Sequence, residues 1–335
     1  MLKQKFPVIS IVGSTSVGKS EAVFLLADEL LKTTLVSGID IISADSRQVY
    51  AGLKILTGAD VPVGFEQQSD TALLYPVFFE RENIRIYGLS LVTVDHEWSA
   101  GEFYAYARQI IERADRENRA VFVVGGTGLY HTHLFGNDKQ FFVPPNAEIR
   151  TSAEAMSVTQ LQEWLTAVAP ERLLRMNNSD AHNPRRLVRA IEIAMGLGVH
   201  DEVTPQAVEG ENTPGRHLFL GLSLDSDTLK QKIEQRVIAR FESGALAEVA
   251  ELLVNDRALS EQVKTTLGFT EITCYLEKKY SAEECKENWI QADFQYSKRQ
   301  QLWWKKYPEV TWFDKNITNW QESFLSHASG LFLSI

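Results

Sequence analysis

The stretch that decides the fold is Gly13-Ser14-Thr15-Ser16-Val17-Gly18-Lys19-Ser20, which lies between an apolar run at residues 7–12 and a helical pattern that begins near Glu21. A Gly-x-x-x-x-Gly-Lys-Ser loop between a strand and a helix is typical of a phosphate-binding site. Its glycines allow a tight turn with inward-facing amides, and the helix N-terminus adds its dipole. The sequence therefore predicts a loop that binds a diphosphate or polyphosphate, with Lys19 on the phosphates and the Ser20 hydroxyl on magnesium.

The composition is that of an ordinary globular protein. The chain has 335 residues, of which 44% are hydrophobic, and its net charge is -10. This acidic balance argues against indiscriminate nucleic-acid binding but allows a local basic groove. Two cysteines, Cys274 and Cys285, are too far apart for a Cys-x-x-Cys pair, and no apolar run approaches the roughly 20 residues that span a bilayer. We expect reduced thiols, no membrane segment and a cytoplasmic location.

Alternating apolar runs and helical patterns indicate an α/β fold. Apolar runs at 7–12, 40–44 and 120–124 read as buried strands, and residues 84–94 as one or two more. Helical patterns cover 20–32 and about 99–118, the second with a Ser99/Glu102 capping box. Such alternation predicts a parallel sheet flanked by helices, with the run at 217–224 as its last strand. Residues 60–83 are too irregular and polar to assign.

Composition changes after Phe135, which predicts an insert. Residues 137–183 contain a Pro-Pro pair and a Glu/Leu/Ala-rich stretch, and they predict a small helical domain. The core would then comprise residues 1–136 and 184–335, with a helix at 184–197 whose first residue is proline.

Three polar loops, at 13–20, 43–50 and 125–130, each follow the carboxyl end of a predicted strand. In parallel sheets such loops meet at one edge, where ligands bind. Asp45 in the second loop is suited to hold magnesium or to accept a proton, although a turn-forming or capping role is also open. The third loop, Gly125-Gly126-Thr127-Gly128, is either a site of close backbone approach to a ligand or a plain strand-to-helix turn. Thr127 supplies the side-chain hydroxyl that this loop could bring to a reactive site.

Basic residues occur in three clusters. Arg185, Arg186 and Arg189 share one predicted helix, and Lys232, Arg236 and Arg240 follow at i, i+4 and i+8 on another. The third cluster flanks two tryptophans in residues 289–306, a segment with a net charge of +3 that contains Lys298, Arg299, Lys305 and Lys306. Each cluster alone reads as a solvated helix face. Three of them in an acidic protein favour phosphate contacts, and the interleaved aromatics suit RNA bases.

Four segments together resemble the tRNA dimethylallyltransferase family. They are the loop at 13–20, Ser-Ala-Asp-Ser-Arg-Gln-Val-Tyr at 43–50, Gly-Gly-Thr-Gly-Leu-Tyr at 125–130 and Lys-Arg-Gln at 298–300. The resemblance runs from about residue 7 to residue 314. It implies a P-loop NTPase-like sheet and a helical insert at 137–183 that grips the anticodon stem-loop of tRNA.

The resemblance also implies an activity and a set of residues. The activity is transfer of the dimethylallyl group from dimethylallyl diphosphate to N6 of adenosine 37 in tRNA, with Mg²⁺ as cofactor and the protein as a monomer. Asp45 matches the general base, Thr127 a residue near the diphosphate, and Arg236 a residue that holds the leaving group. The diphosphate would lie on Gly13, Ser14, Thr15, Ser16, Val17, Gly18, Lys19 and Ser20, with Ser20 also the metal ligand. The implied tRNA contacts are Ser46, Arg47, Gln48, Arg185, Arg186, Lys298, Arg299 and Gln300.

Three rival interpretations stay open. One is a P-loop kinase of a nucleotide or small metabolite, with the insert as a lid. Another is an adenylate isopentenyltransferase of the cytokinin type, which prenylates free adenine nucleotides. The third is an RNA-binding module of the NTPase type that binds tRNA without consuming an allylic donor. The basic, Trp-rich C-terminal region favours the tRNA-modifying enzyme.

Overall fold

A computed structural model describes residues 5–136, 140, 143–197, 217–254 and 258–333. The chain divides into two compact units. The larger unit comprises residues 1–135 and 213–335, and the smaller unit comprises residues 136–212.

The larger unit is built on one sheet. Its described residues form eight strands: β1 (Val8–Gly13), β2 (Gly38–Ser43), β3 (Glu66–Ser69), β4 (Val77–Arg81), β5 (Ile84–Tyr87), β6 (Arg119–Val124), β7 (His217–Ser223) and β8 (Val310–Asp314). Their order across the sheet is β3-β4-β5-β2-β6-β1-β7-β8. The six strands from β5 to β8 in this order are parallel, and β3 and β4 pair antiparallel at the opposite edge.

The predicted α/β class is confirmed, and two details of the sheet are corrected. The unassigned region 60–83 contains β3 and β4, so the sheet is mixed. The strand at 217–223 is not the last one, because β8 pairs beside it with Phe219 opposite Val310. The missed strands β3 and β4 lie at one end of the sheet, and β8 forms the edge at its other end. The β3 segment, Glu-Gln-Gln-Ser, has no apolar alternation to mark it as a strand.

Helices occupy most of the remaining chain. In chain order they are α1 (Lys19–Leu31), α2 (Lys54–Thr57), α3 (Ala100–Arg116), α4 (Gly128–Phe135), α5 (Ala147–Ala153), α6 (Val158–Val168), α7 (Pro170–Arg175), α8 (Asn178–Ala181), α9 (Pro184–Leu197), α10 (Ser226–Arg240), α11 (Leu246–Val254), α12 (Glu261–Lys264), α13 (Phe269–Leu276), α14 (Ala282–Trp304) and α15 (Trp320–Leu333). A π-helical turn, Phe241–Ala245, joins α10 to α11. The predicted capping box begins α3, where the Glu102 amide donates to the Ser99 hydroxyl. No helix in the described ranges is both long and apolar enough to cross a bilayer.

Helices cover both faces of the sheet, as buried parallel strands require. Alternate residues of each strand point to opposite faces. Ile9 and Ile39 pack in the cluster that includes residues of α1 and α15, whereas Val8 and Ile42 pack in the cluster that includes residues of α3, α10 and α14. This packing fixes α10 and α14 on one face of the sheet. Both helices carry side chains to the ends of the strands.

The smaller unit is helical and has its own core. Helices α5 to α9 enclose a cluster that includes Ile149, Leu161, Leu165 and Leu187. Helix α9 belongs to this unit, whereas the sequence prediction began the second part of the core at residue 184. The reason is the apolar face of α9: Leu187 and Ile191 pack against the other helices of the unit.

Candidate active site

The three polar loops meet at the carboxyl ends of neighbouring strands. Strands β2, β6 and β1 are adjacent in the sheet, so the loops that follow them share one edge. The amide of Thr127 in the third loop donates to the carbonyl oxygen of Ala44 in the second, at 3.3 Å. A cavity at this edge is lined by residues of the first and second loops, including Thr15 and Asp45. The predicted convergence is therefore observed.

The loop at 13–20, hereafter the phosphate loop, folds tightly over the end of β1. Gly13 has φ 138°, and a Cβ there would lie 2.5 Å from the carbonyl oxygen of Leu222 on β7. Only glycine fits this close approach. The Lys19 ammonium donates to the carbonyl oxygens of Gly13 at 3.1 Å and Ser14 at 2.8 Å. The Lys19 side chain thus folds back onto its own loop. The next residue, Ser20, is exposed and lies in the first turn of α1.

Burial governs the ionisation of Lys19. Loss of water around the ammonium lowers the Lys19 pKa to about 8; the Asp45 carboxylate opposes this shift, and the positive charge of Arg236 adds to it. Desolvation dominates because the ammonium is enclosed by the loop. A lysine with such a pKa remains mostly charged at neutral pH and is suited to bind an anion.

Asp45 lies two residues after the end of β2 and is fixed by its own turn. Its Oδ1 accepts a hydrogen bond from the amide of Arg47 at 2.9 Å, as in an Asx turn. A carboxylate has two oxygens, so this turn leaves the second one for other partners. Asp45 is half-buried and lines the cavity together with Thr15 and Arg236. The turn-forming role and the functional role considered from sequence are thus compatible.

Helices α10 and α14 bring a charged pair to the phosphate loop. Arg236 of α10 donates through Nη1 to the Thr15 hydroxyl and through Nη2 to Oδ2 of Asp293, each at 2.5 Å. Asp293 lies on α14 and is only 1% exposed. A buried ion pair of this kind holds the guanidinium in one orientation. Asp293 therefore aims Arg236 at the loop.

Gln300 also contacts the phosphate loop. Its side chain is 6% exposed, and its Oε1 accepts a hydrogen bond from the amide of Thr15 at 2.7 Å. A Cβ on Gly126 would overlap the Gln300 amide group, so the side chain is enclosed by two loops. The resemblance implied a tRNA contact for Gln300. In the structure its buried side chain lies against the phosphate loop, and the tRNA contact stays a prediction.

Tyr296 lies near Gln300 and Thr127. Burial together with the nearby charge of Asp45 raises the Tyr296 pKa to about 12, and the side chains of Gln300 and Thr127 oppose this shift. The tyrosine therefore stays neutral, and it lines the cavity next to Asp45. Neither Tyr296 nor Asp293 was singled out from the sequence as a functional residue. They precede Gln300 by four and seven residues, and this spacing places all three on one face of a helix. The spacing was the signal in the sequence that could have identified them.

The other residues of the 43–50 segment serve mainly to join elements. Arg47 donates to the Gln262 carbonyl at 2.5 Å and to the Thr265 hydroxyl at 3.3 Å. Gln48 donates to the carbonyl oxygen of Gly58 at 2.8 Å. Ser46 and Arg47 line the cavity as well.

The basic residues predicted to contact tRNA differ in exposure. Lys298 and Arg299 are exposed, and they lie over the rings of Phe294 and Tyr296 on their own helix. In the smaller unit Arg185 is exposed, and Arg186 forms an ion pair with Asp180. Arg189, which shares their helix, pairs with the buried Glu192. The last interaction is structural.

Comparison with known proteins agrees with this arrangement. The family model described as IPP transferase matches residues 75–307, more than half of the chain. The chain belongs to the IPP transferase family. It is 29% identical over 310 residues to a tRNA dimethylallyltransferase of Acaryochloris marina, covering 92% of each sequence, and 30% identical over 310 residues to one of Nocardioides sp., covering 91% of this chain and 90% of the relative.

A solved structure shares the fold of this IPP transferase family member. The structure of a eukaryotic dimethylallyltransferase acting on tRNA superposes with a TM-score of 0.75 and 24% identity, covering 98% of this chain and 80% of that one. The family predicted from the four sequence segments is therefore confirmed.

Proposed function

We propose that this protein transfers the dimethylallyl group of dimethylallyl diphosphate to N6 of adenosine 37 in tRNA and releases diphosphate. One observation carries the proposal: in a member of the IPP transferase family, the phosphate loop, Asp45 and Arg236 border a single cavity. Transfer of a prenyl group from a diphosphate to an amine needs a site that binds the diphosphate and, beside it, a carboxylate that accepts the proton of the amine.

The reaction is a substitution at carbon. The adenine N6 nitrogen forms a bond to C1 of the allylic donor, and the bond between C1 and the diphosphate oxygen breaks with its electron pair on oxygen. Asp45 accepts the proton that N6 loses, which keeps positive charge from building on nitrogen. The Asx turn to Arg47 fixes this carboxylate before substrate binds, so little reorganisation is required.

The remaining residues stabilise the departing diphosphate. The amides of the phosphate loop and the Lys19 ammonium face an anion that gains charge as the C1–O bond breaks. Arg236, oriented by Asp293, adds a second cation beside Thr15. Thr127, in the third polar loop, is proposed to donate to the diphosphate end of the donor.

Magnesium fits this site as an ion that binds together with the diphosphate of the donor. The described residues contain no group of three or more His, Cys, Asp or Glu side chains that forms a metal cage. Mg²⁺ commonly binds through one or two protein oxygens plus substrate phosphates and water. The Ser20 hydroxyl at the start of α1 is such an oxygen and would hold the ion, which would neutralise diphosphate charge.

We further propose that the exposed basic residues bind tRNA. Lys298 and Arg299 lie on α14, the helix whose buried face holds the phosphate loop, and Arg299 lines the cavity. Arg185 and Arg186 in the smaller unit are proposed to contact the anticodon stem-loop together with residues 137–183. We propose that the enzyme acts as a monomer, and a tRNA substrate suits a cytoplasmic enzyme.

A labelled-donor assay tests the function. Purified protein with Mg²⁺, labelled dimethylallyl diphosphate and unmodified tRNA is expected to yield labelled adenosine in tRNA. The same tRNA with guanosine at position 37 is the matched control and should stay unlabelled. Label in AMP instead of tRNA, or phosphoryl transfer from ATP, would overturn the proposal in favour of the adenylate-type enzyme or the kinase.

The position of Gln300 predicts an effect on the donor rather than on tRNA. Gln300→Met keeps the side-chain length but leaves the buried Thr15 amide without its acceptor, which costs about 1–3 kcal/mol. We expect pyrophosphate affinity to fall roughly tenfold in calorimetric titration, with tRNA affinity within about twofold of wild type. Lys298→Met, at an exposed position outside the cavity lining, should show the reverse pattern. Weaker tRNA binding with unchanged pyrophosphate affinity in Gln300→Met would contradict this prediction.

A further inference from the structure

Arg240 is a second guanidinium beside the phosphate site. It lies at the end of α10, four residues after Arg236, so the two side chains share one face of the helix. Both line the cavity that also contains Thr15 and Asp45. Arg236 has a carboxylate partner in Asp293. Arg240 forms no ion pair with any residue in the described part of the chain.

The turn at residues 54–58 makes room for the Arg240 head group. Nη1 of Arg240 donates to the carbonyl oxygen of Leu56 at 3.1 Å. Gly58 has φ 67°, and a Cβ at that position would overlap the guanidinium. The glycine thus leaves a space in which the head group lies flat against the turn. A guanidinium has five N–H donors, so one carbonyl satisfies only part of its capacity.

The turn does not need Arg240 as its anchor. The amides of Ile55 and Leu56 donate to the two carboxylate oxygens of Glu248 at 2.9 and 2.8 Å. Gln48 holds the carbonyl oxygen of Gly58 from the other side. With these contacts in place, a purely structural role leaves the positive charge of Arg240 unexplained.

Negative charges near Arg240 do not balance the positive charges there. Burial and the neighbouring positive charge of Arg236 lower the Arg240 pKa to about 10, and the more distant carboxylates of Asp293, Asp60 and Asp45 offset this only in part. A positively charged guanidinium with unused donors, enclosed beside a second one, is suited to bind a phosphate oxygen.

We propose that Arg240 binds a phosphate oxygen of the substrate, alongside Arg236. The assignment rests on the proposed function, which brings two sources of phosphate to this cavity. One is the diphosphate of the donor, and the other is a backbone phosphate of the RNA next to the target adenosine. Both present the same oxygens to the guanidinium, and two binding measurements distinguish them.

The test compares Arg240→Gln with Arg240→Lys, and Arg116→Gln, an exposed arginine on α3, is the matched control. Glutamine removes the charge but remains a hydrogen-bond donor, whereas lysine keeps the charge. We expect Arg240→Gln to weaken one ligand at least tenfold and Arg240→Lys to retain most of that affinity, with unchanged melting temperatures. Loss of inorganic pyrophosphate binding identifies the donor. Loss of tRNA binding, with a salt dependence shallower by about one phosphate contact, identifies the RNA.

Two results would overturn the assignment. One is wild-type affinity of Arg240→Gln for both ligands. The other is an equal loss in Arg240→Gln and Arg240→Lys, which would make the residue a clamp for the 54–58 turn. Neither measurement requires prenyl transfer. The wild-type protein could fail the labelled-donor assay while Arg240→Gln still loses affinity for pyrophosphate. That result would contradict the proposed function and support the phosphate contact of Arg240.

Discussion

Asp45→Asn is expected to lower kcat for prenyl transfer by about 10²–10⁴-fold, the usual contribution of a positioned general base. Asparagine retains the Oδ1 atom that accepts the Arg47 amide, so the turn after β2 should persist. What disappears is the carboxylate oxygen that takes the N6 proton. Single-turnover kinetics with prebound donor and tRNA measure this step directly, because binding and product release do not contribute to them.

Binding measurements separate this effect from a general disturbance of the site. Pyrophosphate affinity of Asp45→Asn should be equal to or slightly higher than that of wild type, since a negative charge beside the anion has been removed. Asp28→Asn makes the same change of charge at an exposed position of α1 and should leave kcat within about twofold. Normal turnover of Asp45→Asn would mean that Asp45 is not the base.

The sequence predicted the centre of the fold because the centre is built from local patterns. The phosphate loop, the apolar strands at β1, β2 and β6, and the capping box of α3 are each readable within about ten residues. The parallel sheet then dictates that loops after adjacent strands meet. The prediction that Asp45 lies beside the phosphate loop followed from topology, without knowledge of any distance.

The edges of the sheet were not predicted, because nothing local specifies them. Strand β8 follows a long amphipathic helix and becomes a strand only by pairing with β7, more than 80 residues earlier in the chain. Strand β3 is polar and is defined by its partner β4. In both cases the hydrogen-bonding partner, rather than side-chain periodicity, determines the conformation.

The sequence did not reveal which side of α14 is buried. Lys298, Arg299 and Gln300 read as one basic motif, yet consecutive residues on a helix point about 100° apart, so the three cannot share a surface. Gln300 shares its face with Asp293 and Tyr296, and the structure shows this face against the phosphate loop. Lys298 and Arg299 are exposed, and Arg299 also borders the cavity. A motif that looks continuous in sequence thus lies on two sides of the helix.

The largest effect on donor binding is expected for Lys19→Met. This change removes the cation that arches over the loop and leaves the Gly13 and Ser14 carbonyl oxygens without their donor. We expect kcat/KM for dimethylallyl diphosphate to fall by roughly 10²–10³-fold, as when a charge-stabilising group is removed from the reacting oxyanion. Lys32→Met, at the exposed end of the same helix, makes the same change of charge and should have little effect.

The depressed pKa of Lys19 adds a pH dependence with a definite sign. In the free protein the ammonium loses its proton as the pH rises through about 8, and a bound anion favours the protonated form. Pyrophosphate affinity should therefore fall as the pH rises from 7 to 9. Lys19→Arg keeps its charge over this range, so its affinity profile reports only the titration of the ligand itself. Identical profiles for wild type and Lys19→Arg would show that Lys19 does not titrate against the bound diphosphate.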